Sequence, residues 1–182
     1  MNYHYFKAFL LDFNVLTKIR KSVDKLAEKH VYFFTFDELF NIKMKFNYSF
    51  STKLRVRYGE TDQMGYCYYG NYAQYFEIGR VETLRNCGLS YKVLENQGIM
   101  LPVSEYSVKY LAPAYYDDEL TIKTTITEIS GARIYFYYDI VNSNNKLIST
   151  AQTILVFVNR SDMRPIQAPD SFIQLFDKYK IQ

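Results

Sequence analysis

Residues 57–87 read RYGETDQMGYCYYGNYAQYFEIGRVETLRNC and join a loop to a helix. Glycines punctuate the loop from Gly59 to Gly70, and the predicted helix extends from Asn71 to Cys87. One face of that helix carries small and apolar side chains, as a helix that packs against a sheet requires. These residues are Tyr72, Ala73, Phe76, Gly79, Thr83, Leu84 and Cys87.

Local signals mark both ends and the middle of this helix. Asn71, followed three residues later by Gln74, resembles a capping box, and Gly88 supplies a stop signal. Gly79 in mid-helix costs about 1 kcal/mol relative to alanine. We therefore expect a backbone to pack closely against Gly79.

Strand patterns surround the helix and predict the fold class. A short strand, Leu54–Tyr58, precedes the loop, and four strands follow the helix: Val103–Leu111, Leu120–Ile126, Arg133–Val141 and Lys146–Asn159. A short amphipathic helix containing Phe172 and Phe176 comes after Pro169. The predicted fold is α+β, with an antiparallel sheet of about five strands against one long helix.

The first 43 residues have a different pattern. Val15, Leu16, Ile19, Val23 and Leu26 recur at helical spacing, with lysines and an arginine between them. This pattern is typical of a basic amphipathic helix that docks on a membrane or a partner, or of an accessory helix. Another interpretation is that the start was misassigned, so that this segment is upstream sequence and Met44 is the true first residue. We therefore divide the chain into an extension, residues 1–43, and a domain, residues 44–182.

Composition excludes several classes of protein. The chain has 182 residues, of which 48% are hydrophobic and 23% charged, a balance that favours a globular domain over a disordered chain. No apolar run reaches the roughly 18 residues that a transmembrane helix needs. The net charge of +3 is too small to indicate nucleic-acid binding.

The histidines and cysteines restrict the chemistry. His4 and His30 are the only histidines, so the domain cannot hold a Ser-His-Asp or Cys-His site. Cys67 and Cys87 form no disulfide framework or zinc motif, which favours a reducing, cytoplasmic location. We interpret Cys67 as a small packing residue.

Asp62 is the candidate reactive carboxylate. It precedes the helix across a loop in which Gly65 is the flexible point. A helix N-terminus offers unpaired N–H groups that can hold a carbonyl oxygen as it becomes an oxyanion. A carboxylate aimed at the same carbonyl can attack it or activate a water. An aspartate before a helix can also be only a turn or capping residue.

The motif around Asp62 resembles that of a known enzyme family. The pattern is Asp62-x-x-Gly65-x-x-Tyr68-Tyr69-x-Asn71-Tyr72, followed by Phe76-Glu77, Cys87-Gly88-Leu89, Ala112-Pro113-Ala114 and Asp117-Asp118-Glu119-Leu120. It is similar to the signature of the 4-hydroxybenzoyl-CoA thioesterase family, over residues 53–168. These proteins are hot-dog-fold acyl-CoA thioesterases, in which a sheet wraps around one long helix.

The resemblance implies a role for each residue of the motif. Asp62 falls on the catalytic aspartate, which is a nucleophile or general base. Tyr69 falls on the residue whose backbone N–H polarises the thioester carbonyl; many members carry histidine there, and others tyrosine. Gly65 would let the backbone approach the substrate, and Asn71 and Tyr72 would fix the loop and the start of the helix.

The resemblance is less specific about substrate contacts. Arg133, in the hairpin after Ser130, is the available residue for the CoA phosphates; alternatively, it is only a solvated residue at the start of a strand. Glu77 is a rival carboxylate, because other hot-dog branches place theirs on the helix; the alternative is an ion pair with Arg80 or Arg85. Four tyrosines could line an acyl pocket or simply pack the loop: Tyr66, Tyr68, Tyr69 and Tyr72.

The implied protein is a homodimer or homotetramer that uses no metal or redox cofactor, with its active site at the subunit interface. An acyl carrier protein remains an alternative to CoA as the thiol carrier. A non-catalytic acyl-binding protein is a further alternative, favoured if Asp62 points away from the helix start. A hot-dog dehydratase would need a histidine that the domain lacks.

Overall fold

An antiparallel five-stranded sheet is the centre of the structure, a computed structural model that describes residues 43–181. Its strands are β1 (Lys43–Arg55), β3 (Val103–Tyr110), β4 (Glu119–Ser130), β5 (Arg133–Asn142) and β6 (Leu147–Val156). Across the sheet they lie in the order β1-β4-β5-β6-β3. Two further short strands, β2 (Ile99–Met100) and β7 (Val158–Asn159), pair with each other. The candidate N-terminal helix lies outside the described residues.

One long helix, α1 (Tyr72–Asn86), packs against this sheet. Strand β4 shows the alternation that the sequence predicts, because Leu120, Ile122, Thr124 and Ile126 are all buried. The α+β prediction and the hot-dog arrangement of sheet and helix are confirmed.

Gly79 explains how closely α1 approaches the sheet. A Cβ atom at this position would sit 2.5 Å from Oγ1 of Thr124 and 2.8 Å from Cγ2 of Ile122. The expected close packing is therefore present. Side chains of β4 occupy the space, rather than the backbone that the sequence led us to expect.

Two details of the predicted helix are wrong. Asn71 makes no side-chain cap, because its Nδ2 atom donates instead to the Glu60 carbonyl oxygen at 2.7 Å. On the helix face, Ala73 is exposed and Tyr75 is buried in its place. The hydroxyl of the buried Tyr75 has a partner, because it donates to Oε2 of Glu60 at 2.7 Å.

Strand β1 differs most from its prediction. The strand ends at Arg55, where the predicted strand had barely begun, and its buried residues Phe46 and Tyr48 precede the predicted start. A register shift between Lys45 and Tyr48 interrupts its pairing with β4. The sequence reading placed these residues beside the extension and so missed their alternation.

The C-terminal residues pair with the start of β1. After Pro169 the chain forms α3 (Asp170–Gln174) and a 3₁₀ turn (Asp177–Tyr179), in place of one continuous helix. The Ile181 N–H then donates to the Lys45 carbonyl oxygen at 3.0 Å. This segment therefore covers part of the outer edge of β1.

Strand β3 forms the opposite edge of the sheet and has no neighbour on its outer side within residues 43–181. Every residue of β3 except Val108 is exposed, including the apolar Val103, Tyr106 and Tyr110. The chain reaches β3 through α2 (Tyr91–Asn96), which the sequence reading did not predict. Among the described residues, no helix is both long and apolar enough to cross a membrane.

Candidate active site

A tight turn presents Asp62. The Gly65 N–H donates to the Asp62 carbonyl oxygen at 2.9 Å, and the Asp62 N–H donates to the Tyr66 carbonyl oxygen at 3.1 Å. Gly65 closes this turn with a φ of 79°, a conformation that glycine adopts at little cost. The Met64 N–H donates to Oδ1 of Asp62 at 2.8 Å, which fixes the carboxylate against the turn.

A cavity of about 410 Å³ opens beside this turn. Asp62 and Tyr69 both line it, so the structure brings together the two residues of the predicted catalytic pair. The remaining lining is mostly aromatic and aliphatic: Met64, Tyr66, Cys67, Tyr72, Tyr110, Leu111, Ala112 and Pro113. Asp62 is the only charged residue among them.

The peptide group that carries the Tyr69 N–H is held in place. The carbonyl oxygen of this peptide belongs to Tyr68 and accepts the Asn71 N–H at 3.0 Å. Tyr69 opens a short 3₁₀ turn that leads into α1, so its own N–H has no intrahelical acceptor. No hydrogen bond within residues 43–181 uses that N–H. Because Tyr69 also lines the cavity, this N–H is a candidate donor for a carbonyl oxygen there.

Tyr110 is a lining residue that the sequence reading missed. Its hydroxyl donates to the Tyr69 carbonyl oxygen at 3.1 Å, and its ring packs edge-on against Tyr72 at 5.1 Å. Burial is the main cause that raises the pKa of both Tyr72 and Tyr110, so both phenols stay protonated at neutral pH. The contact joins β3 to the loop across 41 sequence positions, and no local pattern reveals it.

Several other predicted site residues lie outside the cavity lining. Glu77 is exposed, and within the described residues it forms an ion pair with neither Arg80 nor Arg85; Arg85 pairs with Glu82 instead. Arg133 is exposed at the start of β5. Gly65 and Asn71 act on the backbone, through the bonds given above.

Tyr68, also predicted to contact substrate, packs over the loop. Its ring lies 4.5 Å from that of Tyr69. A Cβ atom on Gly70 would sit 2.6 Å from Cε1 of this ring, so the Tyr68 ring in this position packs directly over Gly70. Three of the four tyrosines proposed for an acyl pocket do line the cavity, and Tyr68 is the exception.

Cys67 is buried, with 2% of its surface exposed, and its Sγ atom lies 3.4 Å from the Tyr75 hydroxyl. Burial is the largest cause that raises the pKa of the thiol. A protonated thiol is a poor nucleophile. The geometry therefore fits the packing role inferred from the sequence.

A buried carboxylate, Glu60, lies two residues before Asp62 and was also missed. It accepts hydrogen bonds from Arg57 and from the Tyr75 hydroxyl. Burial opposes ionisation of this carboxyl, but the bonds from Arg57 and Tyr75 outweigh it and hold its pKa below the usual range. The only sequence signal for a buried ion pair was Arg57, three residues before Glu60. The same spacing is equally typical of a surface ion pair, so it could not reveal the burial.

Comparison with known proteins shows the family to which the chain is similar. The sequence model of the thioesterase-like superfamily matches residues 56–176. The acyl-CoA thioester hydrolase YbgC of Escherichia coli O6:H1 is 35% identical over 127 residues, which are 70% of this chain and 95% of that protein.

Two further relatives extend the comparison. The chloroplastic acyl-acyl carrier protein thioesterase ATL3 of Arabidopsis thaliana is 34% identical over 125 residues, which are 68% of this chain and 65% of that protein. The crystal structure of the DHNA-CoA thioesterase from Staphylococcus aureus is 34% identical with a TM-score of 0.64, covering 65% of this chain and 80% of that one.

Proposed function

Because the chain belongs to the thioesterase-like superfamily and is a thioester hydrolase, we propose that it hydrolyses acyl-CoA to the free acid and the CoA thiol. The observation that carries the proposal is that Asp62 and Tyr69 line one cavity. In the proposed site, Asp62 is the nucleophile or general base. The Tyr69 N–H binds the thioester carbonyl oxygen.

The proposed chemistry needs two groups on one carbonyl. As oxygen adds to the carbonyl carbon, negative charge develops on the carbonyl oxygen, where the Tyr69 N–H can stabilise it. One preorganised donor of this kind contributes roughly 2.7–4 kcal/mol to a transition state. The Asn71 N–H that fixes the far end of the same peptide supports that preorganisation.

Asp62 can supply the attacking oxygen in either of two ways. As general base it takes a proton from water while the water oxygen bonds to the acyl carbon; the C–S bond then breaks, and the departing thiolate takes that proton from Asp62. As nucleophile its carboxylate oxygen displaces the thiolate and forms an anhydride; water then hydrolyses the anhydride, and the proton released by that step goes to the thiolate. Both routes use a carboxylate facing the cavity, and both return Asp62 to its starting form.

The lining indicates which part of the substrate enters the cavity. Its aromatic and aliphatic walls suit an uncharged acyl group, while the CoA nucleotide would stay outside. We keep Arg133 as the proposed contact of the CoA phosphates, because it is an exposed cation next to the β4–β5 hairpin. Glu77 is the weaker candidate, since it lies outside the cavity lining.

A carrier-protein thioester is the second candidate substrate. The similarity to ATL3, an acyl-acyl carrier protein thioesterase by its description, favours it. Assays of purified protein against matched CoA and carrier-protein thioesters of the same acyl groups distinguish the two. The proposal of CoA as carrier fails if only the carrier-protein thioesters are hydrolysed. The non-catalytic alternative predicts binding without turnover of either.

We also propose that the protein forms a homodimer or a higher homo-oligomer through the β3 edge. An open edge strand offers unpaired N–H and C=O groups to a second sheet. The exposed Val103, Tyr106 and Tyr110 add apolar surface at this edge. Because Tyr110 and Leu111 also line the cavity, a partner at β3 would lie next to the proposed site. A monomeric mass by light scattering at micromolar concentration would refute this assembly.

The proposed setting is a cytoplasm, where the free Cys67 and Cys87 would stay reduced. The decisive test of the function is a panel of acyl-CoA chain lengths and aryl-CoAs, with release of free thiol as the readout. Thiol release by the wild-type protein, lost in Asp62→Asn, is the expected result. A wild-type protein that releases no thiol from any member would refute the proposal.

A further inference from the structure

Glu60 is the one buried charged side chain within residues 43–181, with 6% of its surface exposed. A buried carboxylate is costly unless hydrogen bonds satisfy it. It also lies in the loop segment that carries Asp62, and the proposed chemistry assigns no role to its carboxylate. Its bonding partners indicate what it does there.

The Glu60 carboxylate accepts four hydrogen bonds from two residues. Oε1 accepts from the Arg57 guanidinium, from Nε at 2.8 Å and from a terminal nitrogen at 2.5 Å. Oε2 accepts from the Arg57 backbone N–H at 2.8 Å and from the Tyr75 hydroxyl at 2.7 Å. Four bonds fill the acceptor capacity of a carboxylate. The bond to Tyr75 ties the loop to the buried face of α1.

The Glu60 backbone is also bound to the other half of the proposed site. Its carbonyl oxygen accepts the Tyr68 N–H at 2.8 Å and the Asn71 side chain at 2.7 Å. Tyr68 supplies the carbonyl of the peptide whose N–H belongs to Tyr69. Glu60 is therefore linked to both residues of the proposed site. It precedes Asp62 by two residues in the chain, and one hydrogen bond joins its carbonyl oxygen to Tyr68, the residue before Tyr69.

We infer that Glu60 is a positioning residue of the hydrolysis proposed above, whose bonded carboxylate holds Asp62 and the Tyr69 N–H at a fixed separation without contacting the substrate. The inference rests on the proposed function for its kinetic part. Glu60 does not line the cavity, so its effect must pass through the loop backbone. Misplacing a reacting group by about 1 Å can cost on the order of 10² in rate.

The test compares Glu60→Gln with two other variants by steady-state kinetics. Glutamine has nearly the same size, but it replaces one acceptor oxygen by an NH₂ group that faces donors. The hydrogen bonds from Arg57 and Tyr75 to this side chain are therefore weakened or lost. We expect kcat to fall by about 10- to 100-fold, with KM changed by less than about threefold, because the loss is in orientation rather than binding. Tyr75→Phe removes one of the four bonds and should show the same pattern at smaller size.

Glu82→Gln is the matched control. Glu82 is also paired with an arginine three residues away, Arg85, but on the exposed surface of α1. Exposed ion pairs contribute little, so kcat should stay within about twofold of wild type. If Glu60→Gln fails to fold, Tyr75→Phe carries the kinetic test.

Two readouts distinguish positioning from general destabilisation. Combined with Asp62→Asn, Glu60→Gln should cost less than it does alone, because only the Tyr69 N–H then remains to be positioned. Amide exchange of Tyr68, which bonds to the Glu60 carbonyl, should become faster in Glu60→Gln, while amides in the middle of α1 keep wild-type rates.

Three results would overturn the inference. They are a Glu60→Gln variant with wild-type kcat, a Glu60→Gln variant altered in KM alone, and a double variant whose loss of kcat equals the product of the losses in the two single variants. An unchanged amide-exchange rate of Tyr68 in Glu60→Gln would refute the positioning role. This readout does not depend on whether the wild type hydrolyses a thioester. A wild-type protein that turns over no thioester refutes the proposed function instead, so the two failures are distinguishable.

Discussion

Asp62→Asn tests the proposed chemistry most directly. Asparagine is nearly isosteric with aspartate, and its side-chain oxygen can still accept the Met64 N–H, which bonds to Oδ1 of Asp62 at 2.8 Å. The turn and the fold should therefore persist. The amide, however, can act neither as nucleophile nor as base. Loss of general acid–base catalysis costs about 10²- to 10⁴-fold, or about 2.7–5.5 kcal/mol of transition-state stabilisation.

Because Asp62 acts on the carbonyl rather than on the bulk of the substrate, kcat should fall over at least that range with little change in KM. The assay is thiol release from an acyl-CoA that the wild type hydrolyses, with thermal unfolding and light scattering to show that fold and mass are retained. Glu77→Gln is the comparison, since it removes an exposed carboxylate on α1 outside the cavity lining, and it should cost far less. A folded Asp62→Asn variant with near wild-type kcat, or an inactive Glu77→Gln variant, would refute the assignment and move the chemistry to the helix carboxylate.

Four further outcomes follow from the same structure. Tyr69→Phe should keep kcat within a few-fold and Tyr69→His should also be tolerated, since the proposed role belongs to the backbone N–H; a kcat loss on the order of 10² in Tyr69→Phe would assign it to the phenol. A protein that starts at Met44 keeps all but one residue of β1, so it should fold, assemble and turn over thioesters like the full chain, and an inactive or insoluble product would contradict this. Gly79→Ala should lower the melting temperature by a few degrees, because overpacking against β4 costs about 1–3 kcal/mol, more than the ~1 kcal/mol of helix propensity it adds; a raised melting temperature would contradict the close contact. The pKa of Glu60 is lowered in the folded state, so its contribution to the free energy of unfolding should be complete above the unfolded pKa and be lost as pH falls through the folded pKa. The free energies of unfolding of wild type and Glu60→Gln, measured with denaturant, should therefore differ at neutral pH and converge in acid.

The fold was predictable where its signals are local. The 3.6-residue period of α1 and the alternation of β4 each depend on neighbouring residues, and both elements form close to where the sequence placed them. Most of strand β1 was missed although its apolar residues also alternate, because they adjoin the extension with its different pattern and pair with β4 some 70 residues later. The helix α2 is six residues long, too short for a period to be recognised.

The site divides in the same way. Asp62 and Tyr69 were identified because a short motif carries both, and the structure places both on one cavity. Tyr110 was missed because its contact with the Tyr69 carbonyl depends on how β3 lies beside the loop. Glu60 was missed because burial, and not sequence spacing, distinguishes its bond with Arg57 from a surface ion pair.

Asn71 shows why a motif predicts which residue matters better than it predicts the reason. Its position before a helix and its spacing to Gln74 indicated a cap, yet both of its nitrogens bind the loop: the side chain donates to the Glu60 carbonyl and the backbone N–H to that of Tyr68. A 3₁₀ turn over Tyr69–Asn71 makes this possible, because it tightens the chain before α1 begins and turns Asn71 back toward the loop. The residue expected to start the helix instead fixes the peptide that presents the Tyr69 N–H.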